Sequence, residues 1–156
     1  MELIIISGRS GSGKSVALRV VEDLGYYCVD NIPVNLLPSL IRSVSDNYDK
    51  IAVSIDVRNL PKEQDEFNHI IEYLPGFTKP TLFYLDSEDQ TLIKRFSETR
   101  RLHPLSIDSL PLDLAIKKEK ELLDVLITRA DYMIDTSELS VHQLAESIRE
   151  KILGKK

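Results

Sequence analysis

Eight consecutive residues, Gly8, Arg9, Ser10, Gly11, Ser12, Gly13, Lys14 and Ser15, concentrate the chemistry of this chain. Half of its 6 glycines fall between Gly8 and Gly13. The spacing is G-x-x-x-x-G-K-[ST], the phosphate-binding P-loop. Glycines let the backbone turn tightly and bring its N–H groups against phosphate oxygens with no side chain between. A helix beginning at the end of the loop adds free donors and the positive end of its dipole. Lys14 reaches the β- and γ-phosphates, and the Ser15 hydroxyl completes a Mg²⁺ shell. Gly8 to Ser15 is therefore expected to hold a nucleoside triphosphate. A dinucleotide fingerprint fails here, because Val16 stands where its third glycine belongs.

A P-loop needs a second acidic metal partner. Asp56 ends the hydrophobic run IAVSID, the Walker B pattern, and is the expected partner of Ser15 at the metal. Asp30, in YYCVDNIP, is the rival and could instead orient an acceptor or a water. Lys14, Asp30 and Asp56 are thus the candidate catalytic groups. Arg58 and Asn59 follow Asp56 directly and could contact phosphate or nucleotide; a solvated loop reads the same way. The segment KRFSETRRLHP is basic within an acidic chain. On a lid, Lys94, Arg95, Arg100 and Arg101 would neutralise phosphate charge, since arginine pairs with phosphate through two parallel bonds. A charge run is also the ordinary composition of a solvated helix face. His103, before a proline, has no partner visible in the sequence, which favours a structural role. The Asn-Lys-x-Asp signature that reads guanine is absent.

These residues need elements to position them. Strands are predicted at 3–7, 26–30, 51–56, 81–86 and 131–135, and amphipathic stretches at 15–24, 34–45, 63–74, 88–98, 113–129 and 140–153. The strands are continuous apolar runs, the pattern of strands covered on both faces. Their alternation with helices implies right-handed βαβ units in a parallel sheet, whose ligands bind at the carboxyl ends of the strands. Four of the runs end in aspartate: Asp30, Asp56, Asp86 and Asp135. Aspartate is also an ordinary turn and capping residue, which suits Asp86 and Asp135 equally well. The longest irregular stretch is 99–112, a length usual for a functional lid.

At 156 residues the chain fits one domain, and 42% hydrophobic with 29% charged residues is ordinary for a soluble protein. A net charge of −5 argues against a generally basic, nucleic-acid-coating domain. No apolar run reaches the length of a signal peptide or a membrane span. The single Cys28 forms no internal disulfide and belongs to no metal-ligand spacing. A cytoplasmic protein is expected, with no membrane partner.

The segments SGRSGSGKSVALRVVEDLGYYCVDNIPVNLLP, AVSIDVRN, TRRLHPLS and DTSELSVHQLAE resemble the bacterial RapZ/YvcJ family of P-loop nucleotide-binding proteins across essentially the whole chain. Members of that family are longer, so the resemblance implies that residues 1–156 are its N-terminal domain without the C-terminal one. It implies ATP binding by Gly8–Ser15, GTP binding by Asp56, Val57, Arg58 and Asn59, and ATPase and GTPase activity. It further implies an RNase adapter that presents a small regulatory RNA to the endoribonuclease RNase E and so tunes synthesis of glucosamine-6-phosphate. The main RNA contacts and amino-sugar sensing fall to the C-terminal domain. A strand ending at Asp56 beside the P-loop strand would put 56–59 near Mg²⁺ and the γ-phosphate, not near a base. That segment is therefore read as a phosphate and metal site common to both nucleotides.

The reading is a P-loop α/β domain, kinase-like, with a five-stranded parallel sheet in the order 2-3-1-4-5. Its first functional form is a regulatory binding module whose nucleotide occupancy acts through loops 57–62 and 99–112. The second is a small-molecule or nucleotide kinase with an unidentified acceptor, and slow NTP hydrolysis lies between them. The sequence leaves assembly into a homo-oligomer open.

Overall fold

The computed structural model describes residues 1–61, 63–99, 102–108 and 110–154. Five parallel strands form one sheet: β1 (Glu2–Gly8), β2 (Tyr27–Val29), β3 (Lys50–Ile55), β4 (Lys79–Asp86) and β5 (Tyr132–Asp135). Their order is β2-β3-β1-β4-β5, as the sequence reading has it. β1 lies at the centre, with Leu3 opposite Ile51 of β3 and Pro80 of β4.

That position explains its unbroken apolar run. Side chains alternate across a strand. Leu3 and Ile5 enter one core with Val53, Ile55 and Tyr84, whereas Ile4 and Ile6 enter the other with Ala52 and Phe83. A strand with two buried faces has no polar face, and each fully buried aliphatic side chain contributes about 1.5–3 kcal/mol. The first core is closed by α2 (Leu37–Val44), α3 (Gln64–Glu72) and α6 (Asp124–Arg129), through Leu37, Ile41, Phe67 and Leu126. The second is closed by α1 (Lys14–Asp23) and α7 (Val141–Leu153), through Val20, Val21, Leu144 and Ile148. A smaller cluster of Leu92, Phe96 and Ile116 joins α4 (Asp89–Thr99) to α5 (Leu112–Leu122).

The amphipathic stretch read over 113–129 is two helices, α5 and α6, divided at Leu123. Leu123 is fully buried and leaves helical geometry at φ −88°, ψ 3°. The stretch read from 34 opens with a 3₁₀ turn at Val34–Leu36, because Pro38 at the start of α2 fits only its first turn. α7 carries a full capping box, Ser140 with Gln143. Cys28 is a free, half-buried thiol of β2 that burial pushes up to about 11. Among the described residues no helix is long and apolar enough to cross a membrane.

Candidate nucleotide-binding site

β1 ends at Gly8 and α1 begins at Lys14, so the glycine loop lies at the carboxyl edge of the sheet, between the ends of β3 and β4. Close approach dictates two of its glycines. At Gly8, φ is +151° and a Cβ would stand 2.0 Å from the Leu85 carbonyl oxygen. At Gly13, φ is +113° and a Cβ would stand 2.7 Å from Leu144. Gly13 is also the N-cap of α1, with no side-chain cap and no acidic residue in the first turn. The leading N–H groups of that helix are therefore left for an anion. The Lys14 ammonium folds back over the loop and donates to the Gly8 carbonyl at 2.9 Å. Burial lowers its pKa from the usual lysine value.

The loop is anchored residue by residue. The Arg9 guanidinium is buried and directed away from the cavity, donating to Asp86 at 2.8 Å, Asp89 at 2.6 Å and the Ser87 carbonyl at 2.6 Å. Ser10 donates its N–H and its hydroxyl to the two carboxylate oxygens of Glu119, at 2.8 and 2.7 Å. The Gly11 carbonyl accepts from Arg95 at 2.8 Å, and the Ser12 carbonyl accepts from the Thr136 hydroxyl at 2.7 Å. Arg95 also donates to the Thr136 carbonyl at 2.7 Å, so one arginine joins α4, the loop and the segment after β5.

A cavity of about 640 Å³ opens over the loop. Ser10, Gly11, Gly13, Lys14 and Ser15 form its floor. Asp30, Asn31, Ser54, Asp56 and Arg58 form one wall, from the ends of β2 and β3. Arg95, Phe96, Thr99, Leu102 and Pro104 form the other. Gly8, Arg9 and Ser12 lie beneath the floor and shape it.

Asp56 caps a 3₁₀ turn at Val57–Asn59 by accepting from the Arg58 N–H at 2.8 Å. Its other oxygen accepts from the Arg58 guanidinium, at 3.0 Å from Nε. That hydrogen bond, and then the Asp56 charge, raise the Arg58 pKa. Of the segment 56–59, Asp56 and Arg58 face the cavity, while Val57 packs into the core. The Asn59 amide is turned onto Asn31, at 2.6 Å from its side-chain oxygen and 3.0 Å from its carbonyl. Asn31 holds φ +54°, and its side-chain oxygen also accepts from the Asp56 N–H at 3.3 Å. Asp30 accepts from the Ser54 hydroxyl, and Ser54 in turn accepts from the Asn31 N–H at 2.7 Å. β3 does neighbour β1, which puts the Asp56 end of β3 beside the glycine loop.

The basic segment divides. Arg95 reaches the loop, whereas Lys94 is solvated, 4.0 Å from Glu98. Arg100 and Arg101 lie outside the described residues. Asp86 is taken up by Arg9 and by the Ser87 N–H. Asp135 caps Ser137, whose hydroxyl and N–H bonds hold its carboxyl below the usual range. Sequence reasoning missed Glu119, Thr136 and Asn31. Glu119 had a legible signal. Ala115 and Ile116 are buried, and 119 lies one helical turn on, so a charge there faces inward.

The cradle fits a polyphosphate: its glycines carry no side chain over the floor, the first turn of α1 is uncapped, and one half-buried ammonium lies across it. Among the described residues no three of His, Cys, Asp or Glu are grouped to hold a metal on their own.

The RapZ-like N-terminal domain family matches residues 1–156. This chain belongs to that family. A nucleotide-binding protein of Pseudoalteromonas translucida is 88% identical over 156 residues, covering 100% of this chain and 56% of that one. The RNase adapter protein RapZ of Salmonella newport is 56% identical over 156 residues, covering 100% and 55%. The chain thus spans about half the length of the curated RapZ-like relatives it matches. Among solved structures, shikimate kinase of Acinetobacter baumannii superposes with TM-score 0.65 at 15% identity, covering 99% of this chain and 94% of that one. Deoxyadenosine kinase of M. mycoides superposes with TM-score 0.54 at 16% identity, covering 99% and 100%. At such identities the likeness concerns the fold, which the RapZ-like domain has in common with P-loop kinases.

Proposed function

We propose that this domain binds ATP or GTP with Mg²⁺ and serves as the nucleotide-sensing half of an RNase adapter. Gly8 to Ser15 would take the phosphates, with the first-turn N–H groups and Lys14 as donors. A divalent cation would rest between the Ser15 hydroxyl, Asp56 and phosphate oxygens, and it would neutralise charge on the phosphates. Asp56 and Arg58 would act at the phosphate end for either nucleotide. Asn59 has its amide committed to Asn31, which speaks against its reading a guanine. In the longer protein a C-terminal domain would bind a small regulatory RNA and meet RNase E in the cytoplasm, so that occupancy here tunes amino-sugar synthesis. The names of the relatives support the adapter reading. The observation that carries nucleotide binding is the glycine cradle beneath an uncapped helix, crossed by Lys14.

A second reading has one observation in its favour. The cavity continues past the loop to Asp30 and Ser54, leaving room for a phosphoryl acceptor. A kinase needs such a place to orient a hydroxyl and exclude water. Phosphorus NMR of Mg-ATP with the wild-type domain and with Lys14→Ala separates the two. Shifted, broadened resonances of an intact triphosphate, absent with the variant, are expected for the sensor. Inorganic phosphate or a new phosphoester produced by the wild type alone would mean hydrolysis or transfer.

A further inference from the structure

Glu119 is fully buried on α5, yet its carboxylate ends at the glycine loop. Oε1 accepts from the Ser10 N–H at 2.8 Å and Oε2 from the Ser10 hydroxyl at 2.7 Å. Oε1 also meets His103 Nε2 at 2.9 Å. His103 Nδ1 accepts from the Leu105 N–H at 3.0 Å, so the ring proton is on Nε2 and points at Glu119. His103 is itself buried and packs on Phe96, with ring centroids 5.1 Å apart. One carboxylate thus joins the loop to the segment whose Leu102 and Pro104 wall the cavity.

The three donors satisfy Glu119 as hydrogen-bonding groups. They do not require its charge. A glutamine would offer Oε1 to the two N–H donors and its own N–H to the Ser10 hydroxyl. What the carboxylate adds is a fixed negative charge in a loop shaped for anions. Lys14 feels it, since Glu119 leads the charges that offset the effect of burial there. A polyphosphate in the loop is of the same sign as Glu119, and because Glu119 is fully buried, water screens the repulsion poorly. Any such coupling is reciprocal: what Glu119 does to the nucleotide, the nucleotide does to the contacts of Glu119.

We propose that Glu119 is an internal counter-anion of the glycine loop, which lowers the affinity for nucleotide and transmits its occupancy through His103 to the segment around Leu102–Leu105. This rests on the nucleotide-binding reading. The test is a polarisation titration of a fluorescent ATP analogue with Mg²⁺ against wild type and Glu119→Gln, with thermal unfolding run on both. Affinity about tenfold tighter in a variant that still unfolds cooperatively is expected. A merely structural role would leave affinity equal or weaker, and that result overturns the proposal. A second measurement needs no variant: hydrogen exchange at the Leu105 amide of the wild type, expected to become several-fold faster when Mg-ATP is added. Unchanged exchange at saturating nucleotide overturns the relay even if Glu119→Gln fails to fold. A wild-type protein that takes up no nucleotide at all is a different result, and it removes the nucleotide reading together with this one.

Discussion

Arg9 occupies the second position of the glycine loop, where the sequence pattern invites a phosphate-binding role. Its guanidinium is 2% exposed and is spent on Asp86, Asp89 and the Ser87 carbonyl. Its work is to clamp the loop onto the end of β4; burial lowers its pKa, but the hydrogen bonds to Asp89 and Asp86, and then their charges, raise it above the usual arginine value. Removing Arg9 empties a buried position, while Asp86 and Asp89, with side chains 22% and 42% exposed, regain part of their loss from water. Arg9→Ala is therefore expected to lower stability by about 1–2 kcal/mol, read as a fall in the urea midpoint. An unchanged midpoint would return Arg9 to the ligand. The same distinction holds around Asp56: the motif identified the residue, but only folding shows that Arg58 holds its carboxylate and that Asn59 faces Asn31. The pairing of Glu119 with His103, a residue read as structural but without a visible partner, escaped notice for a related reason. They are 16 residues apart, and a pairing set by the packing of α5 on the preceding segment leaves no local spacing to read.

At the level of elements, the strands and helices were legible almost throughout, because two-sided burial writes continuous apolar runs and one-sided burial writes a helical period. The division of 113–129 at Leu123 was not legible, since both halves keep that period. The approach of the loop to its neighbours explains the glycines further. Gly8→Ala places a Cβ 2.0 Å from the Leu85 carbonyl oxygen, so β1 and β4 must separate. A loss of about 2–3 kcal/mol is expected. Gly25 also has positive φ, +96°, but nothing lies within 4 Å of its Cβ position. Gly25→Ala is expected to cost only about 1 kcal/mol of backbone strain. Thermal unfolding of the pair checks this, and equal losses would show that conformation, not proximity to β4, selects Gly8.

For the whole molecule, a sheet ordered β2-β3-β1-β4-β5 gathers five strand ends along one edge, and the elements that follow them build the cavity. The loop contributes donors, β2 and β3 contribute carboxylates, and α4 and the segment after it contribute Arg95 and an apolar wall. A nucleotide bound there would touch several elements at once, and by binding only the folded chain it would stabilise the fold by mass action. The most direct test of the account is a calorimetric titration of Mg-ATP and Mg-GTP into the wild-type domain and into Lys14→Ala. Binding of both nucleotides by the wild type is expected, weakened at least about tenfold in the variant, as befits the loss of a charged hydrogen bond, with the unfolding temperature of the free protein retained. Equal affinity in the two proteins would contradict the claim that this loop holds the phosphates.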